Sequence, residues 1–245
     1  GATAHEVFLR YIDDTGTAQA MGIPCGIEWL DTKLGKLCPD RLILLCGPRG
    51  SGKSALAKQI AKYVAKCEVN VSYHSHEMSA REIVQGVVSI DGVRGQSWNN
   101  QLFAGGEMDI IKAWTRGIFP ESKFLRIYDE LSTLDQVLAQ MRHDKVKYGT
   151  KVWIVDLIQR VRGRIKGNRE LELSEIAWEL KQAARDLDGT VIACSHLNKS
   201  LVTRGSEDIE NHADQMVIIA MPKDKGGNSE EEKRLLKINK NRAGP

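Results

Sequence analysis

Short, unbroken apolar runs alternate along this chain with longer segments whose apolar residues recur every three to four positions. Arg41–Gly47, RLILLCG, is such a run, the pattern of a strand buried on both faces of a parallel sheet. KSALAKQIAKYVAKC follows, with Leu56, Ile60, Tyr63, Val64 and Cys67 at helical spacing. The alternation then repeats. Val69–Ser75 predicts a strand, and MSAREIVQGVV a helix opened by Ser79 and Glu82 in capping-box spacing. Phe124–Glu130, Lys151–Leu157 and Thr190–Leu197 predict three more strands. TLDQVLAQMRHDKVKYG and SEIAWELKQAARDLDG predict the helices between them, the second ending at Gly189. QMVIIAM and RLLKINKNR close the chain with only the polar loop PKDKGGNSEEEK between them, so an antiparallel pair is expected there. The whole rhythm implies an α/β fold with a doubly wound, mostly parallel sheet and an antiparallel C-terminal strand pair.

Ahead of this rhythm, HEVFLRYIDD (His5–Asp14) reads as a short amphipathic helix. Its apolar stripe is Phe8, Tyr11 and Ile12. A polar, Gly-containing linker follows, so the expected organisation is an arm over residues 1–21 and one domain over 22–245. Composition adds limits. Apolar residues make up 42% of the 245, enough for a sizeable core. The formal charge is only +3, so any nucleic-acid signal must be local. The five cysteines Cys25, Cys38, Cys46, Cys67 and Cys194 show no CxxC and no zinc spacing. Reduced, buried thiols of a cytosolic-type compartment are the expected state. No run is long and apolar enough to span a membrane, so no membrane partner is expected.

The chemistry starts at GPRGSGKS, Gly47 to Ser54, which fits G-x-x-x-x-G-K-[ST] between a strand and a helix. Glycines let the backbone at Gly47, Arg49, Gly50, Ser51 and Gly52 turn its N–H groups around phosphate oxygens. Lys53 can reach the β- and γ-phosphates, and Ser54 can ligate Mg²⁺. A nucleoside triphosphatase also needs an acid near the metal and a base near the attacking water, at the carboxyl ends of strands. Asp156 ends the apolar run VWIVD and suits the first task, so the metal ligands are expected to be Ser54 and Asp156. Glu77 follows VNVSYHSH and suits the second. Asp129 and Glu130 also follow a strand, where a helix cap or turn is the plainer role. After Asp156 comes RVRGRIKGNRE, whose Arg162, Arg164 and Lys166, interrupted by glycines, suit a phosphate backbone. It lacks aromatics, and the competing reading is a solvated charge run. At the end of the chain, KINKNRAGP places Lys240 and Arg242 two apart on a strand without a neighbouring acid.

In order, these motifs resemble those of the RecA-like motor domain of DnaB-type replicative helicases, over about Gly22 to Pro245. HSHEM resembles S-L-E-M, which implies Glu77 as the catalytic base. VWIVDLIQ is similar to I-x-D-Y-L-Q, which implies Asp156 as the Walker-B acid. CSHLNKS resembles S-Q-L-N-R-S, which implies that His196 senses the γ-phosphate. RGSEDIENHADQM resembles R-G-S-G-x-I-E-Q-D-A-D. KNRAGP resembles K-Q-R-N-G-P, the arginine-finger strand, which implies catalytic roles for Arg242 and Lys240. The resemblance implies a P-loop NTPase that hydrolyses ATP with Mg²⁺ at the subunit interfaces of a homo-hexameric ring and moves 5′ to 3′ on single-stranded DNA. It points the loop after Asp156 and the RGSE segment toward the central channel, which adds Arg204 to the DNA-binding set. Primase and a helicase loader are implied partners, and the cytoplasm of a bacterial or phage-infected cell the implied place.

This chain departs from the pattern in places. His196 stands where bacterial members carry Gln, although related phage primase-helicases carry His. The segment between SHLNKS and RGSEDIENHAD is shorter than the pattern. The family's N-terminal scaffold or primase domain is missing and the last strands are cut short, so a motor fragment is expected. The core alone also suits a RecA/RadA-type recombinase or a KaiC-like regulatory ATPase. A closed ring against an open filament separates these.

Overall fold

The computed structural model describes Thr3 and residues 22–90, 120–197, 205–220 and 235–242. The arm helix expected over His5–Asp14 lies outside the described residues, as does Arg204. Among the described residues, six α-helices and seven strands alternate in chain order as far as the last two strands, which follow each other directly. They are α1 (Glu28–Leu34), β1 (Arg41–Gly47), α2 (Lys53–Lys66), β2 (Val71–Ser75), α3 (Ala80–Ser89), β3 (Leu125–Tyr128), α4 (Leu134–Tyr148), β4 (Val152–Asp156), α5 (Arg169–Asp186), β5 (Thr190–His196), α6 (Gly205–His212), β6 (Gln215–Ala220) and β7 (Leu235–Asn241).

The strands form one sheet in the order β3-β2-β4-β5-β1-β6-β7. All neighbours are parallel except β6 and β7, the expected antiparallel pair. The unbroken apolar run of β1 has a simple cause. Ile43 and Leu45 face one core with α1, α2 and α3, while Leu42, Leu44 and Cys46 face a second core with α4, α5 and α6. A strand covered on both faces needs apolar side chains at every position. α3 opens with the capping box of Ser79 and Glu82, and α4 with a second one made by Thr133 and Gln136. No helix among the described residues is long and apolar enough to cross a membrane.

Three local features depart from the sequence expectation. α5 starts at Arg169, five residues ahead of SEIAW, because the Asn168 side chain accepts hydrogen bonds from the N–H groups of Glu170 (3.0 Å) and Leu171 (3.2 Å). The last part of the basic loop is therefore helix. α1 is a short added helix, entered through Asp31, whose carboxylate accepts from the N–H groups of Cys25 (2.7 Å) and Gly26 (3.3 Å). The third is a bulge. Val217 pairs with Ile238 but Met216 pairs with Lys240, leaving Asn239 as an extra residue. An extra residue flips the faces beyond it. Leu236 and Ile238 pack on the first core, whereas Lys240 turns to the α6 side and reaches the Glu210 carbonyl.

Candidate active site

Four adjacent parallel strands, β2, β4, β5 and β1, end side by side and carry the candidate groups at their carboxyl ends. Such a crevice is where ligands sit in open α/β sheets. After β1 the chain turns through Gly50 and Gly52, both left-handed with φ of 76° and 99°. A side chain at Gly47 would put its Cβ 2.5 Å from the Ile219 carbonyl oxygen, so the loop can start only from a glycine without neighbouring backbone moving. α2 begins at Gly52 with no side-chain cap and no acid in its first turn. Its first N–H groups and the positive end of its dipole are left open to an anion.

Lys53 stands in this turn, 4% exposed. Its Nζ donates to the carbonyls of Gly47 (2.9 Å) and Pro48 (2.8 Å), and no carboxylate among the described residues pairs with it. Burial pushes its pKa down; Asp156 and Glu77 partly oppose this. The half-buried Ser54 follows on the first turn.

Asp156 closes β4 and is 2% exposed. Its Oδ2 accepts from the Tyr73 hydroxyl at 2.6 Å. Its Oδ1 is buried and makes no hydrogen bond among the described residues, an acceptor that suits a cation or its water shell. Beside it, burial and then the Asp156 charge push the Cys194 thiol well above its ordinary range. Glu77 is exposed two residues beyond Ser75, which pairs in register with Asp156. The Ser75 hydroxyl folds the turn back by bonding both the carbonyl and, at 3.2 Å, the N–H of Met78. That presents the Glu77 carboxylate at the rim.

His196 closes β5 opposite Gly47 of β1. Its N–H donates to Gln159 Oε1 at 3.2 Å, and Leu197 N–H donates to Gly47 O at 3.1 Å. Burial, then the nearby Lys53 ammonium, lowers the imidazole pKa, so the ring is neutral at pH 7. Its charge neighbours include Glu77 and Arg49, and those of Lys53 include Asp156 and Glu77, which ties the four strand ends into one electrostatic site.

Lys240 and Arg242 do not join this site. β7 lies beyond β6 and runs against it, and Gln215 at the start of β6 pairs with both Ile43 and Asn241. Arg242 N–H donates to Asp214 O at 2.9 Å, and Asp214 N–H to Leu42 O at 3.0 Å. Arg242 is therefore level with the start of β1, at the end of the sheet opposite the phosphate turn. The five residue steps from Leu42 to Gly47 cover about 17 Å at ~3.3 Å each. Both cations sit on the C-terminal carbonyls of α6, Lys240 on Glu210 O and Arg242 Nη2 on Asn211 O at 3.0 Å.

In the basic loop, Arg164 is held by Asp135 at 2.7 Å and by Glu179. Arg162 Nη2 donates to Ser132 Oγ at 2.7 Å. Lys166 is exposed. Arg160, not singled out from the sequence although it belongs to the same run, is also exposed. Asp129 accepts from Ala80 N–H at 2.6 Å and so caps α3. Tyr73 and Gln159, which orient Asp156 and His196, were missed as well. Gln159 carried a signal, as the Q of VWIVDLIQ.

A family model described as the DnaB-like helicase C-terminal domain matches residues 22–245. The replicative DNA helicase DnaB of Geobacillus stearothermophilus is 30% identical over 198 residues, covering 75% of this chain and 41% of that protein. DnaB of Haemophilus influenzae is 29% identical over 245 residues, covering 91% and 52%. The chain thus spans about half, or less, of these relatives. Among solved structures, one ATPase domain superposes with a TM-score of 0.83 at 22% identity, covering 100% of this chain and 93% of that one. A DnaB-like replicative helicase, described with its interactions with primase, gives 0.79 at 22%, covering 100% and 63%. These likenesses show the RecA-like helicase ATPase fold.

Proposed function

Since the chain belongs to the DnaB-like helicase C-terminal domain family, we propose that it is the ATP-driven motor of a replicative DNA helicase. It hydrolyses ATP at the subunit interfaces of a homo-hexameric ring, moves on single-stranded DNA, and works in the cytoplasm of a bacterial or phage-infected cell. The arm over residues 1–21 docks on a neighbouring subunit, and primase and a loader are partners. One observation carries this reading. The strand ends bring together a phosphate cradle, a buried acid, a rim carboxylate and a neutral imidazole, while Arg242 lies at the opposite end of the sheet from this subunit's own phosphate turn.

The donor set fits Mg²⁺-ATP. The loop N–H groups and Lys53 hold the β- and γ-phosphates, and Ser54 with Asp156 Oδ1 would hold Mg²⁺. Mg²⁺, when bound, neutralises charge developing on the phosphate oxygens. Glu77 accepts the proton of the attacking water. His196, neutral, donates one hydrogen bond to the γ-phosphate. Arg242 of each subunit, with Lys240 beside it, reaches the neighbour's phosphate, where its fork of donors suits the spread charge of the transition state. Lys166, Arg162 and Arg160 meet the DNA backbone in the channel, with Arg204 as a further contact. Arg164 contributes less, because acids already hold it. Imaging the particles with nucleotide and single-stranded DNA tests this reading. A six-membered closed or lock-washer ring supports it, and an open filament overturns it in favour of a recombinase.

A further inference from the structure

The segment Asp129–Thr133, after β3, is bonded to the base turn on one side and to the basic loop on the other. Asp129 Oδ2 holds Ala80 N–H at 2.6 Å, three residues after Glu77. The Leu131 carbonyl lies 2.8 Å from His76 Nδ1, on the residue just before Glu77. Arg162 is stitched to the far end. Its N–H donates to Ser132 O at 3.0 Å, its carbonyl accepts from Leu134 N–H at 2.9 Å, and its Nη2 donates to Ser132 Oγ at 2.7 Å.

His76 is the tie nearest Glu77 in this connection. A carbonyl only accepts, so Nδ1 carries the proton and Nε2 is bare. Nε2 is buried and makes no hydrogen bond among the described residues. The backbone N–H of the same residue donates to Asp156 O at 2.7 Å. One residue thus ties the base turn to the Walker-B strand through its backbone and to the segment through its ring. In the motif S-L-E-M that HSHEM resembles, leucine stands here, and leucine has nothing to donate. The linkage therefore belongs to this chain's own sequence.

We propose that His76 is a positioning residue: through the Leu131 carbonyl it couples the Arg162–Gly167 loop on DNA to the backbone that carries Glu77. The proposal rests on the reading above, in which that loop meets single-stranded DNA and Glu77 serves a bound nucleotide. The coupling travels through one ring-to-carbonyl hydrogen bond and then through the backbone hydrogen bonds that tie Arg162 to Ser132 and Leu134. Coupling between two binding events is reciprocal. If DNA on the loop alters the nucleotide site, nucleotide must alter DNA affinity by the same factor.

The test is fluorescence anisotropy of a labelled oligodeoxythymidine with the full chain, with and without a non-hydrolysable ATP analogue. Wild type is expected to show an affinity ratio between the two conditions of about 5- to 150-fold, the usual range of allosteric coupling. His76→Leu moves that ratio most of the way to 1, while affinity for the analogue without DNA stays within a few-fold. His76→Phe does the same and keeps the ring volume, so it reads the contact if the leucine variant fails to fold. His76→Asn places an amide N–H near the position of Nδ1 and restores most of the ratio. A donor-free variant that folds and keeps the wild-type ratio overturns the proposal, as does an asparagine variant no better than leucine. A wild-type ratio of 1 also overturns the proposal, whereas a wild type that binds no oligodeoxythymidine under either condition overturns the functional reading itself.

Discussion

Replacing Lys53 by Met should leave the fold intact and weaken nucleotide binding, and both magnitudes follow from the contacts of the ammonium. In the free chain Lys53 Nζ loses two hydrogen bonds, to Gly47 O and Pro48 O. Neither acceptor is left bare, because Gly47 O keeps Leu197 N–H at 3.1 Å and Pro48 O keeps Ser51 N–H at 3.2 Å. Against this loss, a buried cation without a carboxylate partner disappears, and its desolvation cost with it. The two effects oppose each other at roughly 1–3 kcal/mol each, so stability should change by no more than about 2 kcal/mol. On nucleotide, by contrast, the charge-assisted contacts to phosphate go, and affinity should fall about 10²-fold, or ~2.7 kcal/mol. Thermal unfolding reads both. Nucleotide at about 100 times the wild-type Kd stabilises wild type by ~2.7 kcal/mol. At roughly 2–4 °C per kcal/mol for a chain of this size, that is a rise in Tm of about 5–11 °C. In Lys53→Met the same concentration sits near Kd and gives about 0.4 kcal/mol, or ~1–2 °C. A variant that melts many degrees below wild type without nucleotide would mean a structural lysine. A variant that keeps the full rise would mean that the cation never touches phosphate.

Two further outcomes follow from groups near the site. His74 is fully buried, neither ring nitrogen is hydrogen-bonded among the described residues, and its ring packs on Tyr128 at 5.2 Å, with Asp144 and His76 as its charge neighbours. Burial pushes its pKa from 6.5 down to about 3, so the unfolded chain binds a proton that the folded chain refuses. Stability is then full above pH 6.5 and is lost as pH falls through the window from 6.5 to about 3, at up to ~1.4 kcal/mol per pH unit. His74→Phe should flatten that acid limb in urea unfolding at pH 7, 5 and 4; an unchanged slope counts against the buried neutral imidazole. In the basic loop, Lys166→Ala should reduce the salt slope of single-stranded DNA binding by about 0.7, the value for one phosphate contact. Arg164→Ala should reduce it clearly less, since Asp135 and Glu179 hold that guanidinium; equal slopes would show that the acids release it on DNA.

How much of this was legible in the sequence depends on the range of the forces involved. β1 and the phosphate turn were legible because burial on two faces demands an unbroken apolar run and the turn demands its glycines. Asp156 was legible as a lone acid ending such a run. The start of α5 was not, because RELEL shows no apolar stripe and Leu171 is half exposed. Only the Asn168 cap marks that boundary. The bulge at Asn239 was hidden for a different reason. Plain alternation puts Lys240 on the face of Leu236 and Ile238, and nothing in KINKN announces the extra residue that turns it away. Asp129 and Glu77 are both acids after strands, and only the distance to Ala80 N–H makes the first a cap. Arg164 read as free because its partners lie 29 and 15 residues away along the chain.

The central claim is that one subunit's arginine completes the next subunit's site, and a mixing experiment tests it most directly. Arg242→Ala removes a finger worth roughly 10³- to 10⁵-fold in rate. Glu77→Gln removes the base and should cut turnover by about 10²-fold or more while nucleotide affinity stays within a few-fold. Each variant alone should be nearly inactive. Co-assembled at equal amounts, about one interface in four pairs the intact base of one variant with the intact finger of the other, because each interface is built from two different surfaces. ATP hydrolysis in the mixture should therefore recover toward about a quarter of the wild-type rate if interfaces fire independently. No recovery, in mixtures shown by native mass to contain both variants in one ring, would contradict the account.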